Sequence, residues 1–130
     1  MFKIIPLPVN NDSRGIKLQI PEDTFREFLP AVREMHIVSV EPGMIRGNHY
    51  HTFSNEVLIV QHRDDWVFAW KVDGKDVDRQ QFSGQGATLF WLPAGLTHAV
   101  KNTGSTPLEI LSCSNVEATE KDTCWLTILE

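Results

Sequence analysis

Gly43-Met44-Ile45-Arg46-Gly47-Asn48-His49-Tyr50-His51-Thr52-Phe53-Ser54-Asn55-Glu56 is the stretch on which the reading of this chain turns. His49 and His51 are two residues apart, so on a strand both imidazoles face one side. Residues 52–55 have turn character, which lets Glu56 open the neighbouring strand and point back at the same spot. A second stretch, Pro93-Ala94-Gly95-Leu96-Thr97-His98-Ala99-Val100-Lys101-Asn102, brings a third imidazole. Pro93 stiffens the entry to its turn and Gly95 supplies the permissive backbone angles. Three imidazoles and a carboxylate converging inside a β-barrel make a site for a divalent ion (Zn, Fe, Mn or Ni), with open positions for water or substrate. A lone histidine is more often a surface or core residue than a ligand, and H-x-H alone is a weak signal. The combined spacing lifts His49, His51, Glu56 and His98 above that background. His36 and His62 read as ordinary structural histidines, with His36 placed to line the cavity.

Outward from these two stretches, the pattern is one of short strands. Segments 2–7, 16–20, 36–40, 45–51, 56–61, 66–72, 77–82, 88–92, 98–101, 108–113 and 124–129 are apolar or alternating and bounded by turn residues. Asp73-Gly74 is a strong hairpin signal. Helical periodicity is confined to residues 21–29, with Pro21, Glu22 and Asp23 suited to a helix start and Pro30 to its end. Many short strands at near-regular spacing predict a sandwich or barrel. Trp66, Phe68 and Trp70 alternate with Val67 and Ala69, so both faces of that strand are apolar. The outer face then meets either a subunit interface or a loop or terminal strand of the chain itself.

Composition sets the outer bounds. The chain has 130 residues, 42% of them hydrophobic and 22% charged, with a formal net charge of −5. That is the profile of one globular domain spanning residues 1–130. Mild acidity argues against nonspecific nucleic-acid binding, which needs a basic face. No apolar run is long enough to span a bilayer, and the N-terminal residues lack the apolar core of a signal peptide. A cytoplasmic protein with no membrane partner is expected. Cys113 and Cys124 form no metal-ligand spacing; reduced thiols are the simpler reading, and a bridge between them stays open.

The two histidine stretches resemble the motifs of the cupin superfamily. The first cupin motif runs Gly, five residues, His-x-His, three or four residues, Glu, six residues, Gly; here Gly43, His49, His51 and Glu56 match, and Arg63 stands in place of the last glycine. The second runs Gly, five residues, Pro-x-Gly-x-x-His, three residues, Asn; here Pro93, Gly95, His98 and Asn102 match. Gly86 lies one residue too far upstream, which predicts a bulge there. The resemblance implies an all-β double-stranded β-helix, the cupin jelly-roll barrel, with the site in its mouth. Homodimers are common in this superfamily, and a homodimer is expected.

Asp12-Ser13-Arg14-Gly15 and Arg46-Gly47-Asn48-His49 narrow the resemblance to cupins acting on nucleotide-linked sugars: the dTDP-sugar 3,5-epimerases, the 3,4-ketoisomerases and cupin domains of capsule-sugar enzymes. It implies that Arg14 and Arg46 meet a diphosphate, for which a planar guanidinium fork is suited, and that His49 moves protons. The alternative for each arginine is a surface ion pair. The chain departs from the 3,5-epimerases, which carry Gln at the position of His51, need no metal and use a tyrosine from a later strand. The only tyrosine here, Tyr50, points away from the histidines. The ketoisomerases share R-G-x-H-x-H but lack the Glu and the late His together.

Together with the metal site, the resemblance implies a metal-binding isomerase or epimerase of a keto sugar, nucleotide-linked, in polysaccharide biosynthesis. An iron-dependent dioxygenase and a non-catalytic sugar-binding module with a structural metal are the alternatives. A ligated histidine cannot act as a free base. Either His49 is a ligand and the base is a water or a Glu56 that leaves the metal, or the protein works without metal and His49 is free.

Overall fold

The computed structural model describes residues 1–117 and 122–130. Its strands are β1 (Lys3–Pro6), β2 (Val9–Asp12), β3 (Gly15–Leu18), β4 (Glu34–Val40), β5 (Ile45–His51), β6 (Glu56–His62), β7 (Trp66–Lys71), β8 (Val77–Phe82), β9 (Gly86–Leu92), β10 (Thr97–Asn102), β11 (Leu108–Ser114) and β12 (Thr123–Trp125). A short helix α1 (Glu22–Glu27) and a 3-10 turn (Leu29–Ala31) precede β4. One sheet has the order β1-β9-β6-β11-β4 and the other β12-β5-β10-β7-β8, both five-stranded; β2 and β3 form a separate hairpin. The pairings are antiparallel. This is the double-stranded β-helix that the sequence predicts. No helix among the described residues is long and apolar enough to cross a membrane.

The core lies between the sheets because strand alternation aims one set of side chains from each inward. Leu58, Val60, Phe90, Leu92, Leu108 and Ile110 from the first sheet meet Trp66, Phe68 and Val100 from the second. Trp66 stacks on Phe82 at 4.4 Å and Phe68 on Phe90 at 4.2 Å between ring centroids. This aromatic stack plugs one end of the barrel and leaves polar residues to line the other. Removing Phe90 would leave a void costing about 3–5 kcal/mol.

β6 is buried on both faces. Val57 and Ile59 turn outward under Phe28 from the helical segment, so its continuous apolar run is explained. The outer face of β7 is likewise covered from within the chain: Ala69 and Ala99 pack against Ile128 and Leu129 of the C-terminal tail. Cys113 and Cys124 are both free thiols.

Three local expectations need correction. β2 reads Val-Asn-Asn-Asp and was not anticipated, because those residues favour turns over strands; its pairing with β3 holds it extended. The apolar run at 124–129 continues as a strand only through Trp125; beyond it the tail is anchored by side chains instead of a ladder. The bulge is not at Gly86, where β9 pairs with β6 in unbroken register. It lies on β5, where the register with β10 shifts between His98 and Ala99.

Candidate functional site

That bulge builds the site. His98 pairs with His49 and Ala99 with Gly47, leaving Asn48 as the extra residue, with a left-handed φ of 56°. Gly47 has φ 97°, and a Cβ there would stand 2.7 Å from the His98 carbonyl oxygen. Only glycine allows so close an approach of the two backbones. Asn is among the few residues that adopt this conformation readily, and here its side chain is anchored by the C-terminal tail. Its Oδ1 accepts from the Ile128 and Leu129 amides at 2.9 and 3.0 Å, and its Nδ2 donates to the Leu129 carbonyl at 3.0 Å. The consequence is a change of phase. Arg46 and His49 are three residues apart and would oppose each other on a regular strand; with one extra residue between them, both line the same cavity.

The cavity is about 360 Å³ and opens at the polar end of the barrel. One donor atom each from His49, His51, Glu56 and His98 lies within 4.8 Å of the others. Two donors on opposite sides of one ion at about 2.1 Å would be ~4.2 Å apart, so the span is of the right order for a single ion. His49 stands 4.9 Å from both His51 and His98 between ring centroids. His51 Nε2 is 2.8 Å from Glu56 Oε1, and His98 Nε2 is 3.6 Å from the same oxygen. Yet His51 Nε2, Glu56 Oε1 and His49 Nδ1 are buried without an aligned hydrogen bond. Buried polar atoms left unpaired are costly, and three in one cluster fit a bound cation.

The outward-facing atoms of three of these residues are held. His51 Nδ1 is 3.3 Å from both Asp122 Oδ1 and Thr123 Oγ1, and His98 Nδ1 donates to the Leu96 carbonyl at 3.1 Å. Ser112 Oγ donates to Glu56 Oε2 at 3.2 Å. Asp122 is itself fixed by Ser54, whose amide donates to Asp122 Oδ2 at 2.8 Å and whose hydroxyl donates to the same oxygen. Such outer partners set ring orientation and leave the inner nitrogen free.

Electrostatics agree with that geometry. Burial, then the neighbouring His98 and His51, pushes His49 down to about 4. Burial also lowers His98. His51 moves up: burial opposes its charge, but contact with Glu56 and the charges of Glu56 and Asp122 outweigh it. Glu56 stays below the usual carboxylate range because His51 and His98 outweigh its own burial. Two neutral imidazoles beside an ionised carboxylate are the protonation states that cation ligands require.

The rim is uneven. Arg46 lines the cavity, its Nε donating to the Ser39 carbonyl at 2.8 Å, and it has no carboxylate partner among the described residues. Arg14 does not line the cavity. It sits on the β2–β3 hairpin, 88% exposed, with Nη2 2.6 Å from Asp12 Oδ2. The basic rim expected from both arginines is therefore built by Arg46 alone within one chain, because Asp12 two residues away satisfies Arg14 locally. Trp125, 76% exposed, packs edge-on against His49 at 5.4 Å and lines the mouth. Tyr50 is absent from the cavity lining and pairs with Cys124 of β12.

Sequence reasoning missed Asp122, Ser112, Trp125 and the bulge at Asn48. An Asp, a Ser and a Trp in isolation carry no motif; only the Arg46-to-His49 spacing held a signal, since odd separation on one face requires a bulge.

The structure is similar to solved cupin structures. An epimerase from Legionella pneumophila in complex with dTDP-4-keto-L-rhamnose aligns with TM-score 0.74 at 17% identity, over 98% of this chain and 73% of that one. A 3,4-ketoisomerase from Thermoanaerobacterium thermosaccharolyticum, in complex with TDP-4-keto-6-deoxyglucose, aligns with TM-score 0.69 at 14% identity, over 95% and 86%. A capsular polysaccharide assembling protein from Staphylococcus aureus aligns with TM-score 0.65 at 23% identity, over 95% of this chain but only 33% of its own length. This chain thus spans about a third of that protein. No protein of curated function matches the sequence. Residues 22–123 match the sequence profile of the polysaccharide biosynthesis C-terminal domain, and this chain belongs to that family.

Proposed function

We propose that this chain is a cytoplasmic, metal-dependent isomerase or epimerase of a nucleotide-linked keto sugar in polysaccharide biosynthesis. The observation that carries the reading is the cluster of inward-facing donors from His49, His51, Glu56 and His98, with Arg46, which has no carboxylate partner among the described residues, on the same cavity wall. The family supports the pathway. Structural relatives that bind TDP-linked keto sugars support the substrate class.

The residues divide the work. His49, His51, Glu56 and His98 would hold a divalent ion, which when bound supplies Lewis acidity beside a keto group. Arg46 would grip the diphosphate through its guanidinium fork. Trp125 offers an exposed flat face for stacking a base or sugar ring at the mouth. Val38, Leu58, Val100 and Ile110 form an apolar wall that keeps bulk water away and strengthens charge interactions within. In this reading His49 is a ligand, and Glu56, pinned between His51, His98 and Ser112, is poorly placed to leave and act as a base. Arg14 has no part in the single-chain site.

A homodimer would cover Met35 and Ile37, 56% and 73% exposed on β4 at the free edge of the first sheet. Sedimentation tests it.

The test of function is metal analysis of purified protein with solvent deuterium incorporation into a TDP-linked 4-keto sugar. Stoichiometric metal, and exchange abolished by a chelator, is the expected result. Exchange that survives chelation would return His49 to the role of free base. Oxygen uptake strictly dependent on added iron would move the assignment to a dioxygenase.

A further inference from the structure

The cavity is lined by one more histidine, outside the ligand cluster. On β4, alternation puts Glu34, His36, Val38 and Val40 on the barrel side; Val40 is in the core, and His36 lines the cavity together with His49, Glu56 and His98. The strand register sets His36 directly opposite Ser112, the residue whose hydroxyl holds Glu56. Paired residues on antiparallel strands have Cα atoms about 4.5–5.5 Å apart. His36 is therefore one strand away from the serine that anchors the cluster.

Its chemistry differs from that of the other three imidazoles. His36 Nδ1 lies 2.5 Å from Glu34 Oε1, two residues away on the same face. A carboxylate only accepts, so Nδ1 carries a proton, and in the neutral ring Nε2 holds the lone pair. No other hydrogen bond to this ring occurs among the described residues. The side chain is 48% exposed, at the mouth where a substrate enters. Among the described residues, the other titratable side chains lining this cavity are His49, Glu56 and His98, which belong to the ligand cluster, and Arg46, a guanidinium with no acceptor nitrogen. His62 is turned to the Gly84 carbonyl elsewhere.

We propose that His36, oriented by Glu34, is the general base that takes the proton from the carbon beside the substrate's keto group. This rests on the isomerase reading above. In the step, the C–H bond breaks and its electron pair forms the C=C bond of an enolate. The carbonyl π pair moves onto oxygen, and the proton forms a new N–H bond at His36 Nε2. Glu34 faces the resulting imidazolium and stabilises it. Return of a proton from Nε2 to that carbon restores the ketone and the neutral ring. In D2O the imidazolium exchanges before return, so the carbon acquires deuterium.

The experiment follows deuterium incorporation into TDP-4-keto-6-deoxyglucose by the metal-loaded protein and its variants. His36→Gln should slow exchange by about 10²–10⁴-fold, the usual contribution of a general base. Metal content and the thermal shift caused by TDP should match the wild type. His36→Ala should behave alike and recover exchange when free imidazole is added. Glu34→Gln should give a smaller loss. Exchange by His36→Gln and His36→Ala within twofold of wild type would overturn the assignment and leave the isomerase reading standing. Loss of metal or of the TDP shift in both variants would also overturn it, making His36 structural. Absence of exchange in the metal-loaded wild type would remove the isomerase reading, and this assignment with it.

Discussion

Two Arg-Gly pairs in this chain look alike in sequence and behave as opposites in the fold. Arg46-Gly47 sits inside β5, where Gly47 is pressed against the backbone of His98 and the next residue is a bulge. Arg14-Gly15 sits at the β2–β3 turn, where a Cβ on Gly15 would meet nothing within 4 Å. The first arginine faces a cavity and has no acidic partner among the described residues, while the second is paired with Asp12. What separates them is what lies across the strand. Gly47 has another strand of the barrel against it, so its neighbours inherit fixed directions. Gly15 has across from it only Asp12 of its own hairpin, and a Cβ there would meet open space, so Arg14 settles on that nearby carboxylate.

The sharpest way to break this contrast is at the glycines. Gly47→Ala forces a left-handed backbone, costing roughly 1–3 kcal/mol, and adds a clash with the His98 carbonyl. We expect a loss of about 3 kcal/mol or more, read by urea denaturation, together with loss of metal binding. Gly15→Ala carries only the backbone strain, about 1 kcal/mol. Equal losses at the two sites would end the argument that contact across strands distinguishes them.

A smaller effect is expected one shell out from the cluster. Asp122→Asn keeps the shape but weakens the hold on His51, and should reduce metal affinity about 10–100-fold in a competition titration. An unchanged affinity would mean that Thr123 alone orients the ring.

At the arginines the contrast concerns ligand. Arg46→Ala should weaken a nucleotide diphosphate sugar by about tenfold or more, the scale of one or two hydrogen bonds to a charged group, with metal content unchanged. Arg14→Ala should leave calorimetric affinity where it was. Equal weakening by both would place Arg14 at a substrate after all.

Proton titration separates the regions most gently. His51 is raised above the ordinary imidazole value, so without metal its pairing with Glu56 stabilises the fold below that value. That contribution is lost as pH rises through the folded-state pKa. A metal must displace the same proton, so its affinity should fall by about tenfold per pH unit below that point. Asp12, lowered by its bonds to Arg14, shows the reverse sense. Its small contribution is present above the usual carboxylate range and fades as pH falls through the lowered value. Metal affinity flat from neutral pH down to acid would contradict a protonated His51.

Much of this architecture was legible beforehand. The strands from β5 to β11 match the alternating segments to within one or two residues, because burial on one or both faces leaves a strong apolar pattern. β2 was invisible because its residues prefer turns and its partner strand holds it. The last strand was overextended because Leu126, Ile128 and Leu129 are as apolar as a strand, although the last two are buried by packing on Ala69 and Ala99.

By itself, the sequence determined the four-residue cluster and the barrel that encloses it. Alternation points His49 and His51 the same way, a short turn brings Glu56 beside them, and the second motif supplies His98, which the pairing of β10 with β5 sets opposite His49. Tertiary structure alone decided the rest. The extra residue at Asn48 depends on the tail that its side chain bonds, and so does the phase that turns Arg46 into the cavity. Asp122, Ser112 and Trp125 reach the site from segments distant in sequence, and His36, expected at the cavity, is set opposite Ser112. Their roles follow from register, a property of paired strands that no single strand's pattern contains.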